Sequence, residues 1–232
     1  VPDGRDPVCS LAVWRDSRLV IFDCDGVLVD SEAISNRVLA EMLSAEGLPT
    51  TLAQARRDYQ GLLLADVLSR AQEKLGRILP QDWLDSYETE RATAFHRELE
   101  PVAGAAETVK RIITAGVAVC VASQGKLAKT RLSLELTGLD GLFAETARFS
   151  AYSVANGKPA PDLFLHAAAS MGAEPSGCMV VEDTASGVAA AASAGMRALG
   201  YAADSDEHAL RDAGATEILR SLDELPRALG LD

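Results

Sequence analysis

The sequence has no apolar run long enough to span a bilayer. Its opening, VPDGRDPVCSLAVW, carries acid early and lacks a long apolar stretch, so it does not read as a signal peptide. Positive charge is scarce: 22 Lys and Arg stand against 34 Asp and Glu, a formal net charge of −12. Such a surface repels nucleic acid and anionic membrane, and neither is expected as a partner. A phosphate site stays open, because it needs only local cations. Cysteine is sparse, and Cys9, Cys24, Cys120 and Cys178 form no CxxC pair. That argues against a disulfide framework or zinc site and for small buried thiols in a reducing, cytoplasmic compartment. The histidines His96, His166 and His208 have no metal-ligand spacing and are read as structural, as Trp14 and Trp83 are read as packing residues. There is no internal repeat, no low-complexity segment and no obvious amphipathic seam, so a monomer is expected.

What is present is a chain of 232 residues, 48% hydrophobic, which can bury a core without disulfide or metal staples. Residues 18–22, RLVIF, read as a buried strand ending at DCDG. Ile34, Val38, Leu39, Met42 and Leu43 recur at helical spacing after the cap candidates Asp30 and Ser31, and Gly47 stops them. Residues 50–97 are helical in character, broken at Gly61, Gly76 and Pro80. VAVCVAS, a segment near 147–150, CMVV and residues 197–201 read as further strands, with helices expected over 127–136, after Pro161 and over 185–194. Alternating strands and helices indicate an α/β fold with a Rossmann-like parallel sheet. The first two strands lie much farther apart than the roughly 30 residues of a simple βαβ unit. The surplus, 33–97, is expected to form a small inserted α-helical cap on a core made of 1–32 and 98–232, with 1–16 as a loose arm.

Four polar clusters fall at or near the C-terminal ends of the predicted strands: Asp23 with Asp25, Ser123, Lys158, and Glu182 with Asp183. In an open parallel sheet that edge binds ligands. Taken singly, the acids read as solvated turn residues or helix caps, Ser123 as a cap and Lys158 as a surface residue before Pro159. Their convergence on one edge favours phosphate chemistry. A carboxylate can attack phosphorus. A hard divalent cation removes the repulsion between two anions. Lysine and a hydroxyl can hold the phosphoryl oxygens, and a second carboxylate can move the proton.

The run DCDGVLVDSE, then VASQG, GKPAPDLF and VVEDTASGVAAAASAGM, resembles the four motifs of the haloacid dehalogenase superfamily, in its phosphatase branch with a helical cap. That branch includes proteins of the β-phosphoglucomutase, phosphoglycolate phosphatase and 6-phosphogluconate phosphatase kinds. The resemblance implies that Asp23 is the nucleophile and a metal ligand, and that Asp25 is the general acid/base and a ligand through its carbonyl. It places Ser123 and Gln124 on the phosphate, with Gly26 offering a backbone N–H. Lys158 would neutralise nucleophile and phosphate, Asp183 would ligate Mg2+ directly, and Glu182 would act through water. Arg57 and Gln60, from a cap stretch that also holds Arg56 and Tyr59, are the candidates for substrate binding. Mutases of the superfamily carry a histidine where this chain has Ser35, and an arginine in the loop where it has Leu62, Leu63 and Leu64. Its dehalogenases lack the second aspartate, here Asp25. The resemblance therefore implies a Mg2+-dependent phosphatase acting on a small phosphorylated metabolite, with a sugar phosphomutase as the alternative. A phospho-acceptor receiver module is a third reading. It gives no reason for the helical insert.

Overall fold

The computed structural model describes residues 19–231. Cys9, Trp14 and the expected arm 1–16 lie outside the described residues. Six strands, β1 (Leu19–Phe22), β2 (Ala118–Ser123), β3 (Arg148–Ser150), β4 (Cys178–Glu182), β5 (Arg197–Tyr201) and β6 (Glu217–Leu219), form one sheet in the order β3-β2-β1-β4-β5-β6. Every neighbouring pair is parallel. This is the expected Rossmann-like α/β architecture.

A parallel sheet covered on both faces needs strands that are apolar throughout, and β1, LVIF, is buried at all four positions. The two-residue period divides it cleanly. Val20 and Phe22 join one apolar cluster with Val119, Val121, Met179 and Val181. Leu19 and Ile21 join the other with Cys120, Ala122, Cys178 and Val180. The three cysteines among the described residues, Cys24, Cys120 and Cys178, are buried and unpaired.

Five helices intervene between β1 and β2, and the first four form one layer: α1 (Glu32–Ala45), α2 (Leu52–Tyr59), α3 (Leu64–Leu75) and α4 (Trp83–Glu98). Their breaks follow local chemistry. Thr51 and Gln54 form a reciprocal capping box at the start of α2, and Gly76 ends α3 in the left-handed region at φ 66°. Helix α1 packs against α2 and α4. The apolar side of this layer is continuous with the sheet: Leu39 and Leu43 of α1, Val67 of α3 and Phe95 of α4 belong to the same cluster as Phe22.

The remaining helices are α5 (Ala105–Thr114), α6 (Leu127–Leu136), α7 (Asp162–Ser170), α8 (Ala185–Ser193), α9 (Glu207–Asp212) and α10 (Leu225–Ala228). The sequence pattern did not single out α5, α9, α10 or β6; a three-residue strand is too short to show a period. Ser31 sits at the N-cap of α1 but makes no capping hydrogen bond. Leu43 is fully buried between the helical layer and the sheet. Leu43→Ala should lower the unfolding free energy by about 2–5 kcal/mol in urea denaturation. A loss of only a few tenths would mean that the two layers do not share one core.

Candidate active site

The sheet register brings the first and fourth predicted clusters together. Phe22 pairs with Val121 and Val181, and the Asp23 N–H donates to the Val181 carbonyl at 3.0 Å. Asp23 therefore stands level with Ala122 and Glu182 at the C-terminal edge. Lys158, on the loop before α7, reaches across this row. Its ammonium donates to Asp23 Oδ1 at 2.5 Å, to Glu182 Oε1 at 2.6 Å and to the Ala122 carbonyl at 3.2 Å. All three donors of the ammonium are thus engaged, at a residue only 8% exposed. Burial alone would push its pKa down. Asp23 and Glu182 outweigh that and hold it above the ordinary lysine range. Burial raises Asp23 to about 6 against the opposing pull of Lys158. It also lifts Asp183 well above its ordinary value, with Glu182 and Asp23 adding to the rise.

Glu182 uses both oxygens on the protein. Oε1 takes Lys158, and Oε2 accepts from the Thr184 N–H at 2.8 Å and its hydroxyl at 2.7 Å. Thr184, rather than Glu182 or Asp183, caps α8. Space for the Glu182 carboxylate comes from Gly187, where a Cβ would lie 1.9 Å from Glu182 Cδ. Gly26 does the same for Asp183, whose Oδ2 would be 2.3 Å from a Cβ there, with φ at 77°. The Gly26 N–H, expected to face phosphate, donates instead to the Val29 carbonyl at 2.9 Å. Gly26 thus contributes close approach rather than a donor.

Asp25 is held by three groups. Ser31 and Lys129 both donate to Oδ1, and Ser123 donates to Oδ2 at 3.3 Å. Ser123 also accepts the Gly125 N–H at 3.0 Å. Gln124 lies at the cavity, but its carboxamide grips the Lys158 backbone, accepting the N–H at 3.0 Å and donating to the carbonyl at 3.5 Å. Its observed task is to place the lysine loop. Lys129, on α6, belongs to none of the sequence motifs. Burial pulls its ammonium below the usual range, opposed by Cys24 and Asp23.

Asp183 Oδ1 is buried without a hydrogen-bond partner. A buried carboxylate oxygen left unpaired is unfavourable, and the carboxylate oxygens of Asp23 and Asp183 on one cavity floor suit a hard cation such as Mg2+. No group of three or more His, Cys, Asp or Glu side chains among the described residues forms a ready-made metal cage. Mg2+ does not require one, since it keeps several waters and one or two carboxylates hold it. The residues fit Mg2+ on those terms.

Above this floor lies a cavity of about 120 Å³ between the sheet edge and the helical layer. Asp23, Asp25, Lys158, Glu182 and Asp183 form its base, and Gln60 and Gly61 reach it from the α2–α3 turn. Ser35, Leu62 and Leu64 also line it. Arg57 does not. It is exposed and paired with Asp58 at 2.9 Å, whereas Arg56 donates to Gln60 at 3.2 Å and to the Asp204 carbonyl at 2.8 Å. Neither arginine lines the cavity, and both are exposed on α2; successive helical residues differ by about 100° in direction, and the sequence alone could not say where either points. Arg91 and Lys126 are cavity residues outside the motifs, and Glu32, the last residue of the first motif run, lines the cavity although no role was assigned to it. Arg91 rests against the rings of Tyr87 and Phe95, and Lys126 pairs with Glu88 of α4 at 2.8 Å. The only sequence signal for Arg91 was its place in a helical stretch, and for Lys126 its place directly after VASQG.

A family model described as haloacid dehalogenase-like hydrolase matches residues 17–195. The chain belongs to this family. The hydrolase is 30% identical over 216 residues to the 6-phosphogluconate phosphatase of Escherichia coli (strain K12), covering 92% of this chain and 96% of that protein. It is 28% identical over 223 residues to hexitol phosphatase B of the same strain, covering 91% and 95% respectively. Among solved structures, a HAD family hydrolase from Deinococcus radiodurans R1 with bound phosphate and sodium matches with TM-score 0.76 and 32% identity, over 94% of this chain and 98% of that one. The expected class, a phosphoric monoester hydrolase, agrees with the family and with both relatives. No helix among the described residues is long and apolar enough to cross a membrane.

Two measurements test the geometry. Gly187→Ala forces a methyl onto the Glu182 carboxylate. It should destabilise the hydrolase by about 1–3 kcal/mol and reduce turnover, while a neutral outcome in both assays would contradict the packing described. Glu32 is raised by burial to about 7, with the Asn36 hydrogen bond opposing. A carboxyl with a higher pKa in the folded chain favours folding at low pH, and that contribution is lost as pH rises from about 4.5 to about 7. Glu32→Gln should therefore gain stability relative to the parent across this window in thermal melts. A pH-independent difference would show that Glu32 is solvated.

Proposed function

We propose that this hydrolase dephosphorylates a small phosphorylated metabolite, a sugar phosphate or phosphorylated sugar acid, through an aspartyl phosphate on Asp23. The observation that carries the reading is Asp23 itself: a buried carboxylate on the cavity floor, one oxygen held by Lys158 and the other free for attack on phosphorus. As the Asp23–phosphorus bond forms, the bond from phosphorus to the ester oxygen breaks, and the departing oxygen takes a proton from Asp25. Water then attacks the aspartyl phosphate and gives its proton to Asp25, and the bond between phosphorus and Asp23 breaks. Lys158 and Ser123 steady the phosphoryl oxygens, while Glu182 and Gln124 keep Lys158 in place. Mg2+, held by Asp23, Asp183 and the Asp25 carbonyl, would neutralise the repulsion between nucleophile and substrate.

Hydrolysis rather than internal transfer is favoured by Ser35, Leu62 and Leu64 in the cavity wall, where a mutase of this branch would carry a histidine and an arginine. We take α1–α4 to be the cap that selects the substrate. Arg91, Lys126, Asn36 and Gln60 offer it cations and amides suited to hydroxyl and carboxylate groups. The names of the two bacterial relatives support the same substrate class. Unpaired buried cysteines suit a reducing cytoplasm, and we expect a monomer.

The test is phosphate release from a panel of sugar phosphates, hexitol phosphates and phosphorylated sugar acids, compared as kcat/KM with Mg2+ and with EDTA. Turnover should require Mg2+, and Asp23→Asn should abolish both turnover and acid-stable labelling by substrate phosphate. Full activity of Asp23→Asn would overturn the nucleophile assignment, and conversion of a hexose 1-phosphate to its 6-phosphate would revive the mutase.

A further inference from the structure

Two ammonium groups are buried at the site, and only Lys158 has been given a task. Lys129 extends from α6, 104 residues from Asp25 in sequence, and places its Nζ against Asp25 Oδ1. Its side chain is 9% exposed, and Asp25 is its ion-pair partner among the described residues. The other side of the ammonium faces the Phe95 ring of α4, 5.7 Å from the centroid. The stem is closely confined as well, since a Cβ on Gly125 would lie 3.3 Å from Lys129 Cδ and 3.4 Å from Ser123 Oγ. Burying an ammonium costs several kcal/mol before its partners offset it. A methionine would fill the same space without that cost, so packing alone does not account for a lysine here.

We propose that Lys129 is a positioning residue for Asp25. It fixes the carboxylate against Ser31 and Ser123 and ties that placement to α4 through Phe95. Without it, Lys158, already shared by Asp23 and Glu182, would be the buried ammonium left at the cavity floor for both carboxylates of the DCDG turn. With it, the two carboxylates of the DCDG turn each have their own ammonium. Asp23 is left to attack, and Asp25 stays where the leaving oxygen and the incoming water must both be met. The inference rests on the functional reading above, and adds a residue that none of the four motifs contains.

The experiment is steady-state kinetics on Lys129→Met and Lys129→Arg, each alone and with Asp25→Asn, using the best substrate of the panel. Lys129→Met should lower kcat by about 10–100-fold, the scale of a misplaced catalytic group, with KM within about threefold. Lys129→Arg should recover much of kcat. In the Asp25→Asn background Lys129→Met should lower kcat no further, since residues that act as a unit are non-additive. An unchanged kcat for Lys129→Met, or an equal loss in both backgrounds, overturns the proposal. If Lys129→Met does not fold by circular dichroism, Lys129→Arg is compared with Lys129→Gln; the arginine variant must be faster, and equality overturns the proposal. If the parent protein shows no Asp23-dependent turnover, the functional reading fails. A crystal structure of Lys129→Met then decides this inference on its own: a displaced Asp25 carboxylate supports it, and an unmoved one overturns it.

Discussion

The site is organised by one buried ammonium. Lys158 joins the ends of three strands, through Asp23 after β1, the Ala122 carbonyl in β2 and Glu182 at the end of β4. Its charge permits two carboxylates to remain this close inside the protein, and their charges in turn hold the ammonium in its protonated form. Neither side of this arrangement is stable alone, because removing one partner of a buried pair leaves an uncompensated charge worth about 3–5 kcal/mol. The loop that carries the lysine is accordingly fastened by Gln124, and Glu182 is fastened by Thr184.

Space is as tightly specified as charge. Gly26 and Gly187 each leave room for one carboxylate, Asp183 and Glu182 respectively. The acids meet the sheet edge only because these two positions lack side chains. Asp25, two residues beyond Asp23, is held by separate donors. The two carboxylates of the DCDG turn are thus held by different lysines. The unpartnered Asp183 oxygen is a buried polar atom left unmatched at the cavity floor, and its carboxylate is close enough to the proposed nucleophile for their charges to interact.

Much of this was legible in the sequence because strand ends are short-range features. LVIF followed by DCDG, and CMVV followed by Glu182 and Asp183, give both the strand and the polar group that it delivers. Gly61, Gly76 and Pro80 likewise marked the breaks between α2, α3 and α4. What could not be read were the tasks that depend on distant partners. Gln124 looked like a phosphate ligand but holds a loop 34 residues away. The Gly26 N–H is taken by Val29 within the same turn. Lys129 carries no local mark, because its significance lies in a partner 104 residues earlier. That Arg56 and Arg57 both miss the cavity depends on the rotation of α2 about its own axis, which packing of Ala55 and Tyr59 sets.

The sheet order has a consequence for how the chain is made. β1 lies between β2 and β4, with Leu19 paired to both Ala118 and Cys178. During synthesis the strand that leads into Asp23 leaves the ribosome before either neighbour exists. The whole helical insert follows before β2, and much of the core before β4. Throughout that interval LVIF is an apolar segment with both hydrogen-bonding edges open, and long-range parallel pairing is slow to close. The helices between β1 and β2 therefore defer assembly of the sheet edge that carries Asp23, and Val20 and Phe22 of β1 wait for the apolar cluster that they share with β2, β4 and the helical layer.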